Sequence, residues 1–300
     1  MKRNIYLKTI PPAEAVARVK ASIDREALIR EETIPSHEAS GRVLAHAVHA
    51  RYSSPTFHSA AMDGYAVNAR STFAAREGHP LTLKAGETCF AVNTGHPMPE
   101  GCDAVIMIEQ VVLDGGSVTI EAPAFPWQHV RRIGEDIVAT ELLFPRNHQL
   151  RPWDVGALLS GGIWDVPVWE RVTVRIIPTG DEVLDFTTHP DPGKGQVVES
   201  NSQMLAALAR ELGCVVERAA PVPDNPEALH QALKDSLDAG RHLTIFCAGS
   251  SAGSKDFTRA TLEKEGEILT HGIAAMPGKP SLLANCRGRL VAGAPGYPVS

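Results

Sequence analysis

From Val172 onward the chain exchanges strand-like and helix-like segments in strict alternation, and this limits the possible folds more than any other feature. Val172 to Ile177 reads as a buried strand. Asn201 or Ser202 then caps a helix running to Leu212, with Gly213 in the position that follows a helix end. Val215 to Arg218 begins a second strand. Asn225, Pro226 and Glu227 supply an N-cap, a first-turn proline and an acid suited to the helix dipole, opening a helix that stops at Gly240. Leu243 to Cys247 is a third apolar strand, followed by a Gly/Ser turn and a helix from about Phe257 to Lys264. Such alternation predicts a parallel sheet covered by helices on both faces. Ile273 to Ser300 reads as short strands separated by Pro-Gly turns.

The first half has a different texture. Pro11 and Pro12 open a helix expected to run to about Leu28, with Ala13, Val16, Val19, Ile23 and Leu28 recurring at helical spacing. Between Glu32 and Ile137, Gly, Pro and Ser punctuate short β-branched runs, a pattern for an irregular all-β domain. Asn147 to Leu159 reads as a short helical stretch with Pro152 near its start, stopped by Gly161 and Gly162. At about 150 residues per domain, 300 residues imply roughly two domains. With 43% apolar and 21% charged residues the chain can bury a sizeable core, which excludes wholesale disorder. A net charge of −6 provides no general basic field, so neither nucleic acid nor an anionic membrane is an expected partner. The five cysteines lack C-x-x-C spacing and fit reduced thiols, hence a cytoplasmic address. No apolar run approaches the ~18 residues needed to span a bilayer, and the amino terminus lacks the core of a secretory signal.

In open α/β sheets ligands bind beyond the carboxyl ends of the strands. Thr179-Gly180-Asp181-Glu182 follows the first strand and places two carboxylates there, either as metal or nucleotide ligands or as a capped, solvated turn. Cys247 to Asp256 is rich in Gly and Ser, which outlines a phosphate cradle with its amides exposed, or a plain connection. Lys279, held between Gly278 and Pro280, can meet an oxyanion; Pro-Gly pairs are equally ordinary turn punctuation. Asp63 sits beside Gly64 ahead of an alternating apolar run, and Thr94 and Asp136 lie in turn-like segments that can supply polar ligands. The twelve histidines show no H-x-x-x-H or H-E-x-x-H spacing, which argues against a dedicated zinc site.

Taken together, S-A-A-M-D-G-Y-A-V (59–67), V-N-T-G-H-P-M-P-E-G-C-D-A-V (92–105), R-R-I-G-E-D-I (131–137), P-T-G-D-E-V (178–183), E-S-N-S-Q-M-L (199–205), S-S-A-G-S-K-D-F (250–257), P-G-K-P (277–280) and G-A-P-G-Y-P-V-S (293–300) resemble, in order and spacing, the molybdopterin molybdenumtransferase family of the MoeA and gephyrin-E-domain type. The resemblance runs from about Pro12 to Ser300. It implies a multidomain α/β plus β protein: a helical linker domain from 1–30 and 138–168, an inserted irregular β domain over 31–137, and a three-layer α/β molybdopterin- and nucleotide-binding domain with a parallel sheet over 169–300. It also implies a homodimer that takes adenylated molybdopterin and molybdate, or tungstate, and releases AMP with the help of Mg2+ as metal enters the dithiolene. By motif, Asp256, Glu182 and Asp224 become the expected catalytic acids, Asp256 and Glu182 also holding the metal ion. Gly249, Ser250, Ser251 and Gly253 match the nucleotide phosphate loop; Lys279 and Ser300 match molybdate-binding groups. Asp63, Thr94, Asp136, Pro295 and Pro298 fall at further substrate-binding positions.

The chain departs from the family pattern where Met276 and Gly272 stand in place of two basic residues, where Ala248 replaces a glycine, and where Tyr297 replaces an asparagine. The family's small carboxyl-terminal β domain is not represented up to Ser300. These departures leave a second reading open, a regulatory paralogue that binds the pterin nucleotide or the oxyanion without efficient metal insertion. A third, adenylyl transfer onto molybdopterin, is disfavoured by the Ser/Gly turn and the Asp63 and Asp136 segments.

Overall fold

In a computed structural model of the chain, residues 9–247, 257–276 and 278–296 are described. They form two compact units, Met1–Glu32 with Trp169–Ser300, and Thr33–Val168. Seven residues of the expected site, Gly249, Ser250, Ser251, Gly253, Asp256, Pro298 and Ser300, lie outside the described residues.

The first unit is built on a six-stranded sheet. Its strands are β1 (Thr173–Pro178), β2 (Val215–Arg218), β3 (Leu243–Cys247), β4 (Gly266–His271), β5 (Leu282–Cys286) and β6 (Arg289–Ala294), in the spatial order β2-β1-β3-β6-β5-β4. β2, β1 and β3 run parallel, as the alternation predicts, and β6 joins them in the same direction. The sheet is mixed, because β4 and β5 add antiparallel pairs at the edge beyond the expected parallel strands. The reason is local: Arg287 and Gly288 both have positive φ, +52° and +79°, and turn β5 straight back into β6. No crossover helix is then required.

The longer helices of this unit among the described residues are α1 (Pro12–Ser22), α2 (Asn201–Glu211), α3 (Pro226–Asp238) and α4 (Phe257–Glu265). Side chains alternate across the sheet, so β1 sends Ile177 to one face and Ile176 to the other. Ile177 and Phe246 pack with Leu229 and Leu233 of α3 and Leu262 of α4. Val174 and Ile176 pack with Ala206 of α2 on the opposite face. Helix α3 begins as its sequence dictates, with the Asn225 side chain accepting from the Ala228 N–H at 2.8 Å and Pro226 in the first turn. Gly213 ends α2 at φ +82°.

Two sequence expectations shift at element ends. Helix α1 stops at Ser22, where the expected helix continued to Leu28; the Asp24 carboxylate accepts the Glu26 and Ala27 N–H groups and starts a separate single turn, Arg25–Leu28. The stretch at Asn147 becomes helical only from Pro152 to Ser160, since Asn147 itself has φ +66°.

The second unit carries two three-stranded antiparallel sheets. Gly64–Val67 lies between Cys89–Val92 and Ala104–Met107. Ser117–Ile120 lies between Leu81–Lys84 and Val111–Asp114. Val67, Ile106, Val118 and Ile120 share one core. Leu44, Leu150, Leu158 and Val168 form another beneath the Pro152–Ser160 helix, where the buried Asp154 carboxylate accepts from the Arg151 N–H at 2.9 Å and meets His148 Nε2 at 2.7 Å.

Candidate functional site

The parallel strands of the first unit end in a pocket of about 540 Å³, large enough for a nucleotide-sized ligand. Its floor is Thr179 and Cys247, the residues at which β1 and β3 run out. Thr179 ties the two strand ends together, its N–H and hydroxyl both donating to the Cys247 carbonyl at 2.9 and 3.0 Å. This is where an open α/β sheet places its ligand.

One wall comes from the Thr-Gly-Asp-Glu turn, and the structure separates the roles of its two acids. The Asp181 carboxylate accepts the Asp224 N–H at 3.1 Å and so braces the turn. Glu182 lines the pocket. A Cβ on Gly180 would stand 3.0 Å from both Glu182 carboxylate oxygens, so the glycine at φ +133° lets that carboxylate fold back over the turn. Glu182 is a hard oxygen donor of the kind Mg2+ takes singly alongside waters and phosphate oxygens. Among the described residues no three His, Cys, Asp or Glu side chains converge as a metal cluster.

The lining continues from that turn into a two-stranded ribbon. Val183–Leu184 runs parallel to Val197–Val198, and the Val197 and Glu199 N–H groups donate to the Glu182 and Leu184 carbonyls, both at 2.9 Å. At its far end Glu199 is buried, with its side chain only 3% exposed. Its carboxylate accepts the Ser202 N–H at 2.7 Å and the Ser202 hydroxyl at 2.6 Å. Arg218 of β2 donates to Glu199 at 3.3 Å, to Asp185 at 3.2 Å and to Ser202 Oγ at 2.9 Å, with its guanidinium 4.7 Å from the Phe186 ring centroid. The sequence placed the cap of α2 on Asn201 or Ser202; the carboxylate of Glu199 does that work instead. Hydrogen bonding from the Thr187 N–H, with further help from Thr187 Oγ1 and Arg218, holds the Asp185 carboxyl below its ordinary value. Burial, reinforced by the Glu199 charge, pushes the Cys247 thiol up to about 12, so it stays protonated and un-nucleophilic.

Asn201, 8% exposed, opens α2 and lines the pocket. Its Nδ2 donates to the Gly296 carbonyl at 2.8 Å and the Pro295 carbonyl at 3.4 Å, drawing the loop after β6 to the same rim. Of the expected residues, the structure therefore places Glu182 on the pocket wall and Pro295 on its rim through Asn201. Asp224 stands one hydrogen bond behind the Glu182 turn, through Asp181. Lys279 is exposed, its carbonyl accepting the Ile273 N–H at 2.9 Å in the loop before β5. Met276, where a basic residue was expected, is 91% exposed.

In the second unit, Asp63 accepts the Thr94 N–H at 2.7 Å and its hydroxyl at 3.0 Å. The Thr94 N–H bond, then the Thr94 hydroxyl, hold the Asp63 carboxyl below its ordinary value despite some desolvation. Arg131 donates to Asp136 at 2.6 Å. The structure thus brings Asp63 and Thr94 into direct contact, while Asp136 has its own arginine partner. Sequence reasoning gave Asn201 a helix-capping role only, and gave Glu199 and Arg218 no site role, although Glu199 and Asn201 fall in the E-S-N-S-Q-M-L motif. Their signal, a Glu-Ser-Asn opening a helix beyond a strand end, is legible only once Arg218 is known to reach them from β2.

Comparison with known proteins gives consistent matches along most of the chain. Residues 10–162 match the MoeA N-terminal region (domain I and II), and residues 175–300 match a probable molybdopterin binding domain. A molybdopterin molybdenumtransferase of Synechococcus elongatus is 32% identical, covering 90% of this chain and 71% of that protein. The molybdopterin molybdenumtransferase of Haemophilus influenzae is 33% identical over 90% of this chain and 69% of its own length. The crystal structure of a molybdopterin biosynthesis MoeA protein from Pyrococcus horikoshii OT3 superimposes with a TM-score of 0.81 at 29% identity, covering 98% of this chain and 75% of that one.

Proposed function

The chain belongs to the MoeA family of molybdopterin molybdenumtransferases, enzymes of molybdenum cofactor biosynthesis, and from that premise we propose that its substrate is adenylated molybdopterin, held by its nucleotide part in the pocket beyond β1 and β3. The observation that carries the reading is the convergence of Glu182, Asn201, the Gly296 loop and the β1 and β3 ends on one hollow. Molybdate, or tungstate, is the second substrate, and AMP leaves as metal enters the dithiolene. Cleaving the phosphoanhydride adds one water across the P–O–P bond, and the departing AMP oxygen gains negative charge. The described pocket lining carries a carboxylate, Glu182, that suits a cation facing that charge. Mg2+ held by Glu182 and Asp256 would be that cation, a Lewis acid.

Around that centre the chain's own groups bind and orient. Backbone amides of Gly249, Ser250, Ser251 and Gly253 are assigned to the phosphates, where small residues let a ligand approach. Asp224 braces the Glu182 turn through its N–H bond to Asp181. Lys279 and Ser300 are assigned to the oxyanion, for which an ammonium supplies charge without acting as a nucleophile. Pro295, Pro298, Asp63, Thr94 and Asp136 are assigned to further substrate contacts. A homodimeric, cytoplasmic enzyme, with 31–137 as an inserted β domain and 1–30 with 138–168 as its helical support, completes the proposal.

The test is turnover. Protein mixed with adenylated molybdopterin, molybdate and Mg2+ releases AMP, and Glu182→Gln lowers kcat by about 10²-fold, the usual scale for losing an electrostatic contributor. Pterin-nucleotide binding without AMP release would instead favour the regulatory reading that Met276 and Gly272 motivate.

A further inference from the structure

The Asn201 carboxamide is only half used. Its Nδ2 is committed to the Gly296 and Pro295 carbonyls, which fixes the amide's orientation, since a flip would set Oδ1 against two carbonyl oxygens. Oδ1 is then left buried with no hydrogen-bond partner. Buried acceptors are nearly always satisfied, so an exception on a pocket wall points to a group that arrives with the ligand.

The surroundings define which part of a ligand fits there. The neighbouring Glu199 carboxylate is paired with Arg218, and the described lining carries no cationic side chain, so nothing shown at this end supplies free positive charge for a phosphate. Val197 and Val198 offer apolar, partly exposed surface on the ribbon beside it. A flat, neutral, donor-bearing nucleoside suits this combination. The Glu199, Ser202 and Arg218 network holds the first turn of α2, so the acceptor stands preorganised.

We propose that Asn201 is a specificity-determining residue: its Oδ1 accepts a hydrogen from the adenosine part of the nucleotide, either the exocyclic amino group or a ribose hydroxyl, while its Nδ2 keeps the Gly296 loop in place. This rests on the reading that the nucleotide occupies the pocket, and it adds which residue reads it and by which chemistry.

Calorimetric titration of the wild-type chain, Asn201→Ala and Asn201→Ser with AMP, purine riboside 5′-monophosphate, 2′-deoxy-AMP and 3′-deoxy-AMP tests it. Circular dichroism melts establish which variants are folded. The wild type binds AMP about five- to tenfold tighter than at least one donor-deleted analogue, the scale of one hydrogen bond to a buried acceptor. The analogue concerned identifies the donor. In the folded variants that ratio falls to within about twofold of unity. Equal affinity of all four nucleotides for the wild type, or a ratio that survives in the variants, overturns the role of Asn201 while leaving the pocket's occupant in place. No binding of AMP by the wild type overturns the occupant and this inference together.

Discussion

Glu199→Gln removes one charge and little volume from the group that caps α2, and its cost follows from the contacts. The carboxylate accepts two bonds from Ser202 and one from Arg218 while its side chain is 3% exposed. Glutamine keeps one acceptor oxygen but turns an amide NH2 toward donors that also need acceptors. Hydrogen bonds to charged groups contribute about 1.5–3 kcal/mol each, and the charge at the helix amino terminus about 0.3–1 kcal/mol more. Arg218 retains Asp185, which limits the damage below that of a wholly orphaned buried arginine. The net expectation is a loss of about 3 kcal/mol, roughly a 150-fold drop in hydrogen-exchange protection of the α2 and β2 amides. Arg218→Met in the same background then costs less than it does alone, because the two residues share one network. Protection unchanged within about threefold would refute the claim that Glu199 anchors this corner of the pocket.

Three further outcomes follow from the same coordinates. At pH 7.4 a thiol raised to about 12 is roughly a thousandfold less ionised than an ordinary one, so iodoacetamide labels the partly exposed Cys102 and Cys214 while Cys247 stays unmodified by mass spectrometry. In the second unit, a Cβ on Gly64 would lie 2.0 Å from the Ile106 carbonyl oxygen, so Gly64→Ala lowers the urea midpoint by the equivalent of about 1–3 kcal/mol or prevents folding. For Asp154, burial pushes its carboxyl up, but the Arg151 N–H and the His148 contact together bring it below its ordinary value. That stability is present above the unfolded carboxylate value of about 4 and is lost as pH falls through the folded one. The stability difference between wild type and Asp154→Asn, measured by urea unfolding, therefore narrows below about pH 4.

How far the sequence reaches depends on whether the deciding contact is local. Asn225, Pro226 and Gly213 mark the ends of α3 and α2 because caps and left-handed glycines are properties of a few adjacent residues. The same locality misleads at Ile23, where apolar spacing continues but Asp24 captures the next N–H groups. It misleads again at Arg287–Gly288, whose turn folds β5 back and ends the parallel order. At the pocket, the Thr-Gly-Asp-Glu motif announces two acids equally, and only the Asp224 N–H, from the loop after β2, shows that Asp181 braces the turn. Glu199 and Asn201 gain meaning through Arg218 and Gly296, partners supplied by β2 and by the loop after β6. Such contacts belong to the sheet order rather than to any local pattern.

The central claim is that the nucleotide sits beyond β1 and β3 between Glu182, Asn201 and Gly296. A crystal structure of the chain soaked with AMP tests it most directly. Density for the nucleoside against Asn201 and the Val197–Val198 ribbon is the predicted result; well-ordered AMP elsewhere, with this pocket holding only water, would contradict it.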